Sequence, residues 1–156
     1  MIVVSDTGPL NYLLRLDAIA VLPQLYGSVV IPEMVQQEMS HPKAPAVVRA
    51  WAAQLPEWVS LGQPQSLLPL ALDAGELVAI SLAVERNADL MLMDDLRGRQ
   101  AAQARGLQTI GTLGILVNAA GAGLLDLADA LAKLQQTDFY ASEKLIQTLL
   151  ASQASE

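Results

Sequence analysis

In this 156-residue chain the positions most suited to chemistry are Asp6, Asp94 and Asp95. Each follows an apolar run, Ile2-Val3-Val4-Ser5 before Asp6 and Leu90-Met91-Leu92-Met93 before the doublet. Runs of this kind read as strands covered on both faces. If the strands are parallel, both deliver carboxylates to the same sheet edge, where ligands of open α/β sheets bind. Two further acids bear on that edge. Glu38 comes near the end of a helix expected from Pro32 to about Met39, where the helix dipole disfavours negative charge; it is either solvated or answered by a cation. Glu76 lies three residues after Asp73 in Asp73-Ala74-Gly75-Glu76, the spacing of a capping box. Asp73 reads as the N-cap, and Glu76 either reaches back to it or points into the cleft. Glu33, in the first turn of its helix, is accounted for by the dipole alone.

No other side-chain type competes for the chemistry. The chain has no Cys and one His, which excludes structural zinc, iron–sulfur, thiol and disulfide chemistry. That histidine lies in Ser40-His41-Pro42, a polar turn, and a serine triad has no other imidazole to use. Clustered carboxylates repel one another unless a cation compensates them or their pKa values rise. Oxygen donors without His or Cys select Mg²⁺ or Mn²⁺, ions that activate water and hold phosphoryl oxygens. Nine basic against 16 acidic residues give a net charge of −7, which argues against a general nucleic-acid coat. Location matters more than the total: Arg86, Arg97, Arg99 and Arg105 fall around the Asp94–Asp95 doublet. Arg97 and Arg99 are candidates for gripping phosphates there, although a charge cluster by itself is more simply a solvated helix face.

The elements that must position these residues alternate strand and helix. Strands are expected at 2–5, 28–31, 58–61, 90–93 and 107–110, with helices from Pro9 to about Leu16, 32–39, 46–55, 73–86, 96–105 and 111–120. Asp126 and Ser142 read as N-caps of two further helices. Strands joined by helical crossovers give a three-layer α/β/α fold with a central parallel sheet and a C-terminal helical tail. With no linker or repeat, residues 1–156 read as a single domain, its core at 1–125 and its tail helices at 126–151. Hydrophobic residues make up 53% of the chain, yet the longest uncharged stretch is broken by polar and glycine residues, so no membrane span is expected. The apolar excess points to a large core or a subunit interface. The opening MIVVSDTG lacks a basic segment before its apolar run, so a cytoplasmic location is expected.

The order and spacing of Val4-Ser5-Asp6-Thr7-Gly8-Pro9-Leu10, Val30-Ile31-Pro32-Glu33 leading to Glu38, Asp73-Ala74-Gly75-Glu76, Ala88-Asp89-Leu90-Met91-Leu92-Met93-Asp94-Asp95 and Gly111-Thr112-Leu113-Gly114 resemble the PIN-domain superfamily, in its VapC-like branch. The resemblance runs from residue 2 to about residue 125. It implies a metal-dependent ribonuclease, commonly the toxin of a toxin–antitoxin pair, with Asp6, Glu38, Glu76 and the strand-end acid as catalytic, metal-holding residues. Counting from Ala88-Asp89 places that last acid on Asp95, where Asp94 also qualifies. Many members carry Thr where this chain has Met93. Thr7 matches the small hydroxyl residue after the first acid, which supports the site or completes a turn.

The expected activity is therefore hydrolysis of single-stranded RNA with Mg²⁺ or Mn²⁺, the partners being RNA, a second copy of the chain and an antitoxin. A metal-poor, inactive module of the same fold that binds RNA or protein is the alternative. A receiver-like phosphoacceptor would need a strand-end lysine, and Lys43, Lys133 and Lys144 are not so placed. A haloacid-dehalogenase-type phosphatase would need an acid at position 8, which is Gly.

Overall fold

The computed structural model describes residues 1–154. The chain divides into two compact units, Met1–Thr112 and a second from Leu113 onward. The division falls ahead of the core–tail boundary at residue 125 suggested by the sequence.

The first unit is built on five strands, β1 (Val3–Ser5), β2 (Val29–Pro32), β3 (Val59–Gly62), β4 (Leu90–Leu92) and β5 (Thr109–Ile110). All pair in parallel in the order β3-β2-β1-β4-β5. The strands lie where the apolar runs placed them, although β4 and β5 are shorter than those runs. Helices α1 (Thr7–Arg15), α2 (Val21–Tyr26), α3 (Glu33–Met39), α4 (Ala46–Ala53), α5 (Ala74–Glu85) and α6 (Leu96–Ala104) connect them, completing a three-layer α/β/α arrangement.

Side-chain alternation explains the layering. Val4 and Met91 share one face in register and join Ala79, Ile80, Leu82 and Ala83 of α5 and Ala102 of α6 in one core cluster. The alternate residues Val3, Val29, Ile31 and Leu92 are buried as well, so the sheet is covered on both sides, as a parallel sheet requires. The chain runs outward from β1 through β2 to β3, then returns to place β4 on the other side of β1. This reversal makes a topological switch point between β1 and β4, and the Asp6 N–H bonds the Leu92 carbonyl across it at 3.0 Å.

The second unit holds most of α7 (Thr112–Gly121), with α8 (Leu127–Gln135) and α9 (Glu143–Ala154). Asp126 caps α8 through the Asp129 N–H, and Ser142 accepts from the Leu145 N–H, both as the sequence suggested. Among the described residues no helix is long and apolar enough to cross a membrane.

Candidate active site

Asp6 is the residue following β1 and occupies the N-cap position of α1, but its carboxylate makes no capping bond. The acids capping other helices behave differently. Asp73 accepts from the Glu76 N–H at 2.9 Å, and Asp95 from the Gly98 N–H at 2.9 Å. Asp6 is buried and, apart from the Thr7 N–H beside it, caps no turn of its helix, a costly arrangement for a carboxylate unless its surroundings make use of it.

Those surroundings are a pocket of about 390 Å³ at the carboxyl edge of the sheet, beside the switch point. Asp6, Thr7, Glu38, Glu76, Asp94 and Asp95 all line it, together with Gly8, Tyr12, Asp73, Ala74 and Gly75. Asp6, Glu38, Glu76, Asp94 and Asp95, the acids the sequence assigned to a site, are thus brought to one cavity. The local reasons are clear: β1 ends in Asp6, α3 presents Glu38 from its last turn, α5 opens at the pocket and brings Glu76, and β4 runs out into the doublet.

Each carboxylate has its own support. Glu38 accepts a hydrogen bond from the Thr7 hydroxyl at 2.6 Å, so a neutral donor meets the acid that the helix dipole disfavours. Gly75 allows this approach, because a Cβ at that position would overlap the Glu38 Oε1 oxygen. Asp94 accepts from the backbone N–H and from the hydroxyl of Thr112, both at 2.7 Å. Thr112 is fully buried. The sequence showed Met93 in place of a supporting threonine; Met93 is buried in the core, and the hydroxyl comes instead from Thr112, the first residue of α7, 18 residues after Asp94.

The electrostatics follow from crowding like charges. Burial first, then the charges of Glu38, Asp73 and Asp94, push the Asp6 pKa up to about 6 against the bond from the Thr7 N–H. Desolvation and the charges of Asp73, Asp95 and Asp6 push Glu76 up to about 7. Burial also raises Asp94, opposed by the two Thr112 donors and by Arg99. Paired acids kept partly protonated near neutral pH mark a site prepared to receive a cation or a proton.

The expected phosphate-gripping arginines lie apart. Arg97 lines an adjoining hollow of about 270 Å³ with Asp73, Glu76 and Asp95, and its guanidinium donates to the Ala71 carbonyl at 3.3 Å. Arg99 lines neither cavity; it donates to the Thr109 hydroxyl at 3.4 Å. Arg86 packs against Gly62 at the end of β3. His41 accepts from the Lys43 N–H within its own turn and takes no part in the site.

The donor chemistry, all oxygen and mostly carboxylate, suits a hard divalent cation. Among the described residues no three of these side chains already converge as a ligand group, so an ion would have to draw them inward.

Comparison with known proteins agrees with the architecture. The sequence model of DUF3368, a PIN domain, matches residues 2–156. No curated protein matches. Among solved structures, the chain is similar to a PilT N-terminus domain protein, SSO1118, from the hyperthermophilic archaeon Sulfolobus solfataricus P2. The identity is 16% and the TM-score 0.51, covering 91% of this chain and 100% of that one. At that identity the likeness concerns the fold.

Proposed function

Because the chain belongs to DUF3368, a PIN-domain family, we propose that it is a metal-dependent endoribonuclease acting on single-stranded RNA, the toxin-like member of a toxin–antitoxin pair. The observation that carries this reading is the pocket beside the β1/β4 switch point, lined by six carboxylates and by no other ionisable group except Tyr12. Asp6, Glu38, Glu76, Asp94 and Asp95 would hold Mg²⁺ or Mn²⁺, which when bound supplies positive charge to the phosphoryl oxygens and activates water.

The chain's own residues do the rest. Glu76, raised to about 7 by desolvation and its acidic neighbours, would give up its proton as a cation binds. Thr7 holds Glu38 at the rim. Arg97, beside the adjoining hollow, meets backbone phosphates of RNA entering the cleft, and Arg99 adds positive charge near Asp94. In this reading the protein works in the cytoplasm as a homodimer, restrained by an antitoxin segment that covers the acidic cleft.

The second reading, an inactive module that binds RNA or protein, is favoured by the net charge of −7 and by Met93 standing where a threonine would support the site. One assay separates the two: a labelled single-stranded RNA incubated with Mn²⁺ or with EDTA, using wild type and Asp6→Asn. Cleavage by wild type that EDTA and the substitution both abolish supports the nuclease. RNA binding without cleavage supports the module.

A further inference from the structure

We propose that Thr112 is a positioning residue for the acidic pocket, fixing Asp94 as the strand-end carboxylate turned toward it while Asp95 serves helix α6. The inference rests on the nuclease reading above. Four observations carry it. Both Asp94 oxygens are engaged by one residue, the backbone N–H on Oδ1 and the hydroxyl on Oδ2, each at 2.7 Å. Thr112 is fully buried, so no water substitutes for that hydroxyl without rearrangement. The space around the carboxylate is closed on two further sides, since a Cβ on Gly111 would stand 2.8 Å from Asp94 Oδ1 and one on Gly8 would stand 3.1 Å from Oδ2. Finally, Asp95, the adjacent acid, spends one oxygen on the Gly98 N–H.

A carboxylate gripped in this way keeps free lone pairs but loses its rotational freedom. Asp94, which lines the pocket, therefore has its carboxylate set before any cation arrives, which lowers the ordering cost of binding one. Outer partners that orient a ligating carboxylate typically change cation affinity by about 10- to 100-fold when removed. The simpler role, a tie between the ends of β4 and β5, predicts a loss of stability with no change in cation affinity.

The test uses the full-length protein and manganese chloride. Mn²⁺ affinity is measured by calorimetry and kcat and KM on single-stranded RNA, for wild type, Thr112→Val, Thr112→Ser and Asp6→Asn, with circular dichroism checking the fold. We expect Thr112→Val to lose roughly 10-fold or more in Mn²⁺ affinity and in kcat, KM to stay near wild type, and Thr112→Ser to recover both. Gly111→Ala, which crowds the same carboxylate and leaves Thr112 intact, should reproduce the loss, and it decides the matter should Thr112→Val not fold. A folded Thr112→Val or Gly111→Ala protein with wild-type Mn²⁺ affinity overturns the positioning role while Asp6→Asn still abolishes binding. If wild type and Asp6→Asn alike bind no Mn²⁺, the nuclease reading and this inference fall together.

Discussion

The Thr7 hydroxyl lies 2.6 Å from Glu38 Oε2 and links the first residue of α1 to the last turn of α3. The bond joins two elements far apart in sequence at the rim of the acidic pocket. It also shows how the fold places a carboxylate at a helix end where the dipole opposes it. Removing the hydroxyl with Thr7→Val should cost about 1 kcal/mol, the usual net worth of such a bond. Urea unfolding of the variant measures it, and an unchanged midpoint would mean that water replaces the hydroxyl at no cost.

Gly75 permits that same carboxylate to approach α5, since any Cβ there meets Glu38 Oε1. Gly75→Ala should therefore displace Glu38 and weaken Mn²⁺ binding while leaving the helix intact, because alanine is the better helix former. Circular dichroism and a Mn²⁺ titration check the two halves separately.

The raised pKa values set the sign of a pH effect. A carboxyl whose folded pKa exceeds its unfolded value binds more protons in the folded protein, so its contribution to stability falls as pH rises between the two values. For Asp6 the window runs from its ordinary 3.8 to about 6, and for Glu76 from 4.5 to about 7. The metal-free protein should consequently lose stability from these groups as pH rises from 4 toward 7, and a divalent cation should restore it. Asp6→Asn should be more stable than wild type above pH 7 without metal, by roughly 3 kcal/mol, and the gap should close below pH 4. Thermal melts of both proteins across pH in EDTA test this; equal melting temperatures at pH 8 would contradict it.

The two adjacent acids should part company on substitution. Asp95→Ala removes the cap of α6 and should cost about 1 kcal/mol of stability. Asp94→Asn should affect Mn²⁺ affinity much more than it affects the melting temperature. Parallel melts and calorimetry on the two variants distinguish them.

The strands and the edge on which the acids gather were legible in the sequence because both depend on local patterns. β-branched and apolar runs mark β1, β2 and β4, and an acid directly after a strand can only lie at its carboxyl end. The capping roles of Asp73 and Asp126 followed from spacing in the same way. Helix α2 was missed: Pro23 interrupts a six-residue element, entered after Asp17 at φ 57°, too short for a periodic signal. The support of Asp94 by Thr112 was equally out of reach, because a hydrogen bond across 18 residues depends on which strands are neighbours. The separation of Arg97 from Arg99 depends on side-chain direction, which sequence proximity does not supply. Thr109 engages one and the Ala71 carbonyl the other.

The central claim is that the pocket carboxylates form the socket of a divalent cation, and anomalous diffraction from crystals grown with manganese chloride tests it most directly. The account predicts a manganese peak inside the pocket, bonded to Asp6 and to other carboxylates drawn in from Glu38, Glu76 and Asp94, and absent from Asp6→Asn crystals. Manganese bound only elsewhere on the protein, or the same peak persisting after the Asp6 substitution, would contradict it.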